Sequence, residues 1–243
     1  MMNCRELSVS DYLLFQVESS RVVMQPTLIS IQVGHPRDYD SDSAKPWSSG
    51  IDKRTVKGPV CVSRTNLTGD QQADLVHHGG PDKAVLAYAF EHYSVWNAEI
   101  PSVSFAPGGF GENLTISGVN ETSCRIGDVV RIGDCLLQIS QPRQPCWKLS
   151  RRWNIPELAK QVQNNGRSGW YYRVLEEGSI SAVDKVELVE SDYGFTVAGA
   201  SSVMYSKPRN SVNDLRLANC PALSASWRET LRSRVGGVEA SLE

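Results

Sequence analysis

Short runs of alternating apolar and polar residues occupy most of the chain up to residue 190. Residues 27–33 have the sequence Thr-Leu-Ile-Ser-Ile-Gln-Val and end at Gly34, which is typical of a β-strand followed by a turn. Further strands are predicted at residues 51–56, 59–64, 84–89, 113–116, 129–132, 135–140, 170–175 and 185–190. Gly133-Asp134 between two of them is a strong hairpin signal. Residues 35–50 and 69–82 are predicted to be exposed polar loops.

Helical spacing of apolar residues is less frequent and is concentrated towards the C-terminus. Helices are predicted at residues 90–100, 146–153, 156–164, 196–205, 212–219 and 223–234. Leu223, Trp227 and Leu231 would share one face of the last helix, and Ser211 with Asp214 would cap the one before it. The last three helices follow one another without an intervening strand, which sets this part of the chain apart.

These elements define a fold class and a division of the chain. Many short strands with glycine turns and few helices indicate a mainly β protein with α additions, built on a closed or nearly closed barrel. We assign residues 27–190 to the β-barrel domain and residues 191–243 to a small three-helix domain. Residues 1–26 show no clear period and are predicted to be an N-terminal extension.

Composition narrows the class of protein. The 243 residues carry a formal net charge of −2, which argues against a general nucleic-acid or membrane-surface binder. Residues 191–243 contain six Lys or Arg against five Asp or Glu, so they lack the excess of positive charge that nucleic-acid-binding domains carry. No apolar run approaches a membrane span of about 20 residues. Six scattered cysteines without a C-x-x-C pair are typical of a reduced, cytoplasmic protein.

One cysteine lies in an unusual sequence context. Cys146 follows the strand at 135–140 and two prolines, Pro142 and Pro145, each of which biases the residue before it away from the helical region. A helix is therefore predicted to begin at Cys146, where unpaired backbone N–H groups make the environment electropositive. Four cations are close to it in sequence: Arg143, Lys148, Arg151 and Arg152. Such a setting favours the thiolate, which binds metals and attacks electrophiles.

Two glycine-bearing loops are candidates for ligand binding. Residues 69–83 place His77 and His78 beside two glycines, and residues 108–114 contain Gly-Gly-Phe-Gly-Glu-Asn-Leu. Glycines let a backbone approach a ligand closely, and exposed N–H groups of such loops bind anions. We interpret the two histidines as hydrogen-bonding groups rather than metal ligands, because no third ligand lies at zinc spacing. For each single histidine a purely structural polar turn is about equally compatible with the sequence, and the second loop taken alone is a weak signal.

A hydrolase is an alternative interpretation of the same residues. Cys146 would be the nucleophile, His77 or His78 the base, and Asp82 or Asn113 the residue that orients the base. However, no signature of a cysteine-hydrolase family is present, and the cations near Cys146 suit an anionic partner better.

Three stretches in this order resemble a known family. They are Gly-Asp-Gln-Gln-Ala-Asp…His-His-Gly-Gly-Pro-Asp-Lys-Ala, then Gly-Phe-Gly-Glu-Asn-Leu, then Ile-Gly-Asp…Gln-Pro-Arg-Gln-Pro-Cys-Trp-Lys-Leu. Together they resemble the MOSC family, named after the C-terminal domain of molybdenum cofactor sulfurase, in its YiiM-like branch with an appended three-helix (3-alpha) domain. The resemblance extends from about residue 27 to residue 234.

The resemblance implies a MOSC-type β-barrel in which Cys146 ligates the molybdenum of a molybdopterin-type cofactor. The other candidate cofactor-binding residues are Arg143, Lys148, His77, His78, Gly79, Gly80, Asp82, Lys83, Gly111, Glu112 and Asn113. The family further implies reduction of small N-hydroxylated compounds such as hydroxylaminopurine, with electrons from a separate reductase. A non-catalytic carrier of sulfur or molybdenum cofactor, using the same cysteine, is the alternative. Pyridoxal phosphate is a family-level label only, because no lysine suitable for a Schiff base is evident.

Overall fold

The computed structural model describes residues 25–39, 46–191 and 194–239. The predicted N-terminal extension, residues 1–26, lies almost wholly outside the described residues. The strands are β1 Thr27–Val33, β2 Arg37–Tyr39, β3 Trp47–Ser49, β4 Arg54–Thr55, β5 Val60–Val62, β6 Val85–Ala89, β7 Leu114–Ser117, β8 Val129–Ile132, β9 Cys135–Pro142, β10 Trp170–Glu176, β11 Gly178–Ile180 and β12 Val186–Glu190. The helices are α1 Leu75–His78, α2 Glu91–Glu99, α3 Trp147–Trp153, α4 Leu158–Asn165, α5 Val197–Tyr205, α6 Ser211–Ala218 and α7 Ala225–Glu239.

The main sheet closes on itself as a barrel, as predicted. Its strand order is β12-β8-β9-β10-β6-β7-β1-β4, and β6–β7 is the parallel pair in an otherwise antiparallel sheet. The amide of Leu28 in β1 donates to the carbonyl of Asp184 at 2.9 Å, and the amide of Val186 donates to the carbonyl of Pro26 at 2.8 Å. These bonds connect β1 to the residues around the start of β12. The sheet therefore closes along part of the length of these two strands. Closure removes the exposed sheet edge that would otherwise template aggregation.

The C-terminal helices are continuous with the barrel core. Leu217, Leu223, Trp227 and Leu231 are at most 2% exposed and belong to the same buried cluster as the barrel strands. The predicted apolar face of α7 is therefore confirmed, and it packs on the barrel. A second cluster lies under α2, α3 and α4. Its members are Tyr88, Tyr93, Trp96, Phe105, Phe110, Leu149, Leu158 and Val162.

Several local predictions were wrong. The predicted loop at 35–50 contains β2 and β3, held together by the stacked rings of Tyr39 and Trp47, with centroids 4.1 Å apart. The predicted strand at 51–56 is reduced to β4, and β11 was missed. Residues 69–82 contain α1 and a 3₁₀ turn at Pro81–Lys83. Asn210, not Ser211, caps α6, since its side chain accepts from the amide of Asn213 at 3.0 Å.

One cysteine was also misassigned. Cys61 and Cys135 lie inside predicted strands, residues 59–64 and 135–140, so both were expected to fill the core. Cys61 is instead exposed, whereas its neighbours Val60 and Val62 in β5 are buried. The alternation of β5 decides this, because successive side chains of a strand point to opposite faces. Cys135, the other cysteine assigned to the core, is fully buried as expected.

Candidate functional site

A cleft with a cavity volume of about 80 Å³ lies where the two glycine loops meet the end of β9 and the start of α3. This part, which we call the barrel half, is lined by residues that include Lys53, Gln72, Gly111, Asn113 and Arg143. The cleft continues towards the C-terminal helices, and Met204, Ser226, Trp227 and Thr230 line this helix half. Residues common to both halves are Asp74, His78, Lys83, Gln144, Cys146, Lys148 and Tyr171.

Cys146 lies at the junction of the two halves. Strand β9 runs to Pro142, two residues further than predicted, and the chain then turns before α3. Cys146 is the N-cap residue of α3, with extended backbone angles φ −109° and ψ 162°, and its thiol makes no capping hydrogen bond. The side chain is partly buried. A thiol in this position is free to bind a ligand in the cleft.

Arg143 contributes a buried cation to the barrel half. Its backbone amide donates to the carbonyl of Gly169 at 3.0 Å, and its Nη2 donates to the carbonyl of Phe110 at 3.0 Å. The side chain is only 5% exposed, and Nη1 has no hydrogen-bond partner among the described residues. An unsatisfied buried donor costs roughly 1–3 kcal/mol, more when it is charged. An anionic ligand in the cleft would offset that cost.

His78, Lys83 and Lys148 surround the same space. The pKa of His78 is lowered from its ordinary value of 6.5 to about 4, mainly by burial and also by the charges of Lys148, Arg143 and Lys83, against an opposing effect of Asp74. The imidazole is therefore neutral at pH 7 and adds no positive charge. Burial also lowers the pKa of Lys83, opposed by Asp82 and Asp74. The cleft thus combines cations with a neutral imidazole.

Asp70 organises the wall of the barrel half. It is 4% exposed and forms an ion pair with Lys53, whose pKa is lowered by burial and raised by this carboxylate. It also accepts from the amide of Gly34 at 2.8 Å, from Asn113 Nδ2 at 2.9 Å and from Gln72 Nε2 at 3.3 Å. One buried carboxylate therefore connects both glycine loops to the barrel.

The two predicted acidic site residues, Glu112 and Asp82, support the cleft without lining it. Glu112 is fully buried and accepts from the amide of Gly108 at 2.6 Å, the amide of Phe110 at 3.1 Å and the hydroxyl of Thr115 at 3.0 Å. It shapes the second glycine loop from inside. Neither Glu112 nor Asp82 is among the residues that line the cleft.

Asp82 connects the barrel to the C-terminal helices. One carboxylate oxygen binds Arg173 Nη2 at 2.7 Å, and the other accepts from the amide of Ala225, at the start of α7, at 2.9 Å. The amide of Ser224 donates to the carbonyl of Ser140 at 2.9 Å nearby. Asp82 thereby positions the helix that carries the far wall of the cleft.

The predicted glycines divide between the cleft and its supports. Gly111 lines the barrel half with φ +80°, and a Cβ there would meet Cγ1 of Ile51 at 2.9 Å. Gly79 and Gly80 lie in the turn after α1, and Gly80 has φ +93°. Neither is among the lining residues. The backbone of His77 belongs to α1, and its side chain lies outside what the structure describes.

The remaining two cations near the thiol in sequence point elsewhere. The guanidinium of Arg152 donates to the carbonyls of Ile51, Gly108 and Gly109 at 2.6–3.0 Å. That of Arg151 lies 4.7 Å from the centroid of Trp147. Of the four sequence neighbours, Arg143 and Lys148 line the cleft with Cys146.

Several lining residues were missed by sequence reasoning. Lys53, Gln71, Gln72, Tyr171, Met204, Ser226 and Thr230 line the cleft and were not among the predicted site residues. Gln71 and Gln72 at least lie within the loop that was singled out. The others come from segments far apart in sequence, where no local motif marks them.

Within residues 25–39, 46–191 and 194–239, no group of three or more His, Cys, Asp or Glu side chains is arranged to hold a metal ion. No helix in the same ranges is long and apolar enough to cross a membrane.

Comparison with known proteins identifies the family. The MOSC domain model matches residues 74–187, and the model of the YiiM-like 3-alpha helix domain matches residues 196–236. Neither match concerns pyridoxal phosphate, so that label gains no support. Protein YiiM of Escherichia coli is 38% identical over 188 residues, which cover 76% of this chain and 84% of YiiM.

Two further relatives extend the comparison. A protein of Gibberella moniliformis named "Reductase" is 39% identical over 149 residues, covering 60% of this chain and 26% of that protein. The crystal structure of YiiM from Geobacillus stearothermophilus superposes with a TM-score of 0.73 at 36% identity, covering 86% of this chain and 99% of that one. The chain therefore belongs to the MOSC-domain family, in its YiiM-like branch with a three-helix C-terminal domain.

Proposed function

We propose that this protein holds a molybdenum cofactor through Cys146 and reduces small N-hydroxylated compounds, with electrons from a separate reductase. The observation that carries the proposal is that Arg143, a buried guanidinium with an unpartnered Nη1, lines the same cleft as Cys146. Lys83 and Lys148 line the cleft beside them. A soft ligand and several cations at one place suit a metal carried by an anionic organic cofactor.

The residues that line the cleft would have different roles in binding such a cofactor. Cys146 would be the protein ligand of the metal, since a thiolate suits a soft-ligated centre. Arg143, Lys148 and Lys83 would bind its anionic groups, and Asn113 and Gln72 would offer amide contacts along the barrel half. When bound, the cofactor would supply two-electron redox chemistry at an oxygen atom. His78 would stay neutral and leave the positive charge of the cleft to the lysines and Arg143.

The family comparison supports the type of reaction. The relative from Gibberella moniliformis is named a reductase, and it matches more than half of this chain. The substrate class, the molybdenum dependence and the electron donor are proposals from the family resemblance and from the cleft.

A second candidate function uses the same thiol. Cys146 is partly buried and lies at the junction of the two halves, so a partner could reach it through the cleft. A non-catalytic carrier would hold sulfur as a persulfide, or the cofactor itself, on this residue and pass it on. Turnover separates the two functions, because a carrier binds its cargo without reducing a substrate.

The test is to express the chain in a host that makes the molybdenum cofactor and to measure metal content and turnover. We expect close to one molybdenum per chain by mass spectrometry, and conversion of hydroxylaminopurine to adenine when a reduced viologen dye replaces the reductase. Cys146→Ala should lose both metal and turnover and keep its fold. Cys135→Ala should lose stability yet keep metal per folded molecule. Equal metal in Cys146→Ala and wild type would contradict the assignment, and metal without turnover would favour the carrier.

A further inference from the structure

A β-bulge changes the direction of one side chain at the cleft. Along β10 and β9, Tyr171 pairs with Gln141 and Tyr172 pairs with Ile139, so Ser140 is an extra residue between the two pairs. Tyr172 and Ile139 are at most 1% exposed and point into the barrel core. An extra residue shifts the alternation of a strand and often redirects a side chain beside a functional site. Gln141 consequently shares the outer face with Tyr171, and their Cβ atoms are about 5 Å apart in such a pair.

Both residues of this pair lie in the cleft wall. Tyr171 lines both halves, and Gln141 lines the helix half. Cys146 and Lys148 line the same two halves as Tyr171. The pair therefore lies beside the thiol, at the point where the barrel half and the helix half meet.

Each residue offers a polar atom without a partner. Gln141 is 1% exposed, and its Oε1 accepts no hydrogen bond from the described residues, while its Nε2 donates to the carbonyl of Pro142 at 3.2 Å. That bond fixes the orientation of the amide and leaves the oxygen as the unsatisfied atom. The Tyr171 hydroxyl likewise has no hydrogen-bond partner in the described part of the chain. Burial raises the pKa of Tyr171, so the phenol stays protonated at neutral pH and can donate.

The opposite wall indicates the charge of the ligand. In the helix half, α5 and α7 contribute Met204, Ser226, Trp227 and Thr230, all of them uncharged. Arg143 lines only the barrel half, on the other side of the thiol. The wall formed by α5 and α7 therefore offers hydroxyl, indole and thioether groups, which suit a neutral group of the ligand, whereas the charged residues of the helix half, Asp74, Lys83 and Lys148, are shared with the barrel half.

We infer that Tyr171 and Gln141 form the recognition pair for the N-hydroxylamino group of the substrate. The Tyr171 hydroxyl donates to the oxygen of that group, and Gln141 Oε1 accepts from its N–H. A neutral N-hydroxylamino group carries an acceptor oxygen directly bonded to an N–H donor, which complements a donor and an acceptor side by side. This inference rests on the proposed function for the identity of the substrate, and it adds two binding residues outside the predicted site.

Ligand pairs make the test specific. The loaded full-length protein, without reductant, is titrated calorimetrically with hydroxylaminopurine and with adenine, which keeps the N–H but lacks the hydroxyl oxygen. We expect Tyr171→Phe to weaken binding of hydroxylaminopurine about three- to tenfold and to leave adenine binding unchanged, as for one lost neutral hydrogen bond. Gln141→Met should weaken binding of both ligands. Tyr39→Phe, the same chemical change on the β2–β3 hairpin outside the cleft lining, should match wild type.

The outcomes separate this inference from the proposed function. If wild type reduces hydroxylaminopurine and Tyr171→Phe binds it unchanged, the recognition pair is wrong and the function stands. If the loaded wild type does not reduce hydroxylaminopurine, yet its binding shows the oxygen-specific loss in Tyr171→Phe, the function is wrong and the pair stands. An equal loss in Tyr39→Phe, or wild-type binding no tighter for hydroxylaminopurine than for adenine, would overturn the pair.

Discussion

The side-chain amide of Asn113 donates a hydrogen bond to the carboxylate of Asp70, with Nδ2 and Oδ2 2.9 Å apart in a buried position. Asn113 also accepts from the amide of Leu86 at 3.1 Å through its Oδ1. One residue comes from each glycine loop, and Leu86 belongs to the barrel strand between them. The contact therefore fixes the relative position of the two loops that form the barrel half of the cleft.

Asn113→Ala should destabilise the fold as well as the cleft. The substitution leaves the amide of Leu86 without its acceptor and removes one donor from Asp70, and each unsatisfied buried group costs about 1–3 kcal/mol. We expect the free energy of unfolding to fall by about 2–4 kcal/mol in urea titrations. The exposed Asn213→Ala on α6 is the matched control and should change stability by less than about 0.5 kcal/mol. Equal stabilities of the two variants would show that the contact between the loops is not structural.

His78 should make the protein sensitive to mild acid. Its pKa is about 4 in the folded protein, against an ordinary value of 6.5. Between these values the unfolded chain binds a proton that the folded protein does not, so the free energy of unfolding falls as the pH drops from 6.5 towards 4. His78→Gln removes the titrating group, and its stability should fall less over this window. Urea titrations at several pH values between 7.5 and 4 measure the difference, and parallel curves would contradict it.

Arg143 should anchor the anionic groups of the cofactor through its planar guanidinium. Arg143→Lys keeps the charge but loses the bidentate hydrogen-bonding geometry of the guanidinium. Cofactor affinity should therefore fall about ten- to a hundredfold, which corresponds to roughly 1.5–3 kcal/mol. Arg143→Glu should be worse, because it adds a negative charge beside the anionic ligand. Titration of the cofactor-free proteins with the cofactor measures this. Arg131→Lys, on the exposed surface of β8, is the control, and affinities of the Arg143 variants close to that of wild type would remove Arg143 from the site.

Asp82 should act through the docking of α7. Asp82→Asn weakens the ion pair with Arg173 and the charge-assisted bond to the amide of Ala225, so α7 should exchange its amide hydrogens faster than in wild type. Hydrogen exchange followed by mass spectrometry detects this region directly. Arg173→Met should produce a similar increase, and the double variant should add little, since both residues belong to one network. If Asp82→Asn instead lowers cofactor affinity and leaves the hydrogen exchange of α7 unchanged, Asp82 binds the cofactor, as the sequence predicted.

Local signals in the sequence were sufficient where one short segment carries all the information. The hairpin of β8 and β9 has its turn at Gly133-Asp134, as predicted, and α4 ends at Gly166 with φ +76°, a conformation that glycine adopts without strain. The apolar stripe of α7 was visible at helical spacing. Cys146 was recognisable from its own neighbours, because prolines and cations act over a few residues. The fold class followed from the number and spacing of such segments.

Tertiary structure alone decided which side chains share the cleft. Lys53 comes from the segment before β5, Tyr171 from β10 and Met204 from α5, and no spacing in the sequence connects them. Gln141 reached the outer face only through the bulge at Ser140, since a one-residue shift in register reverses the direction of a strand's side chains. Glu112 lies in a glycine loop but turns inward, because buried amides of that loop needed an acceptor. Periodicity predicts which face of an element is apolar, but the partners of its polar residues are set by the packing of elements distant in sequence.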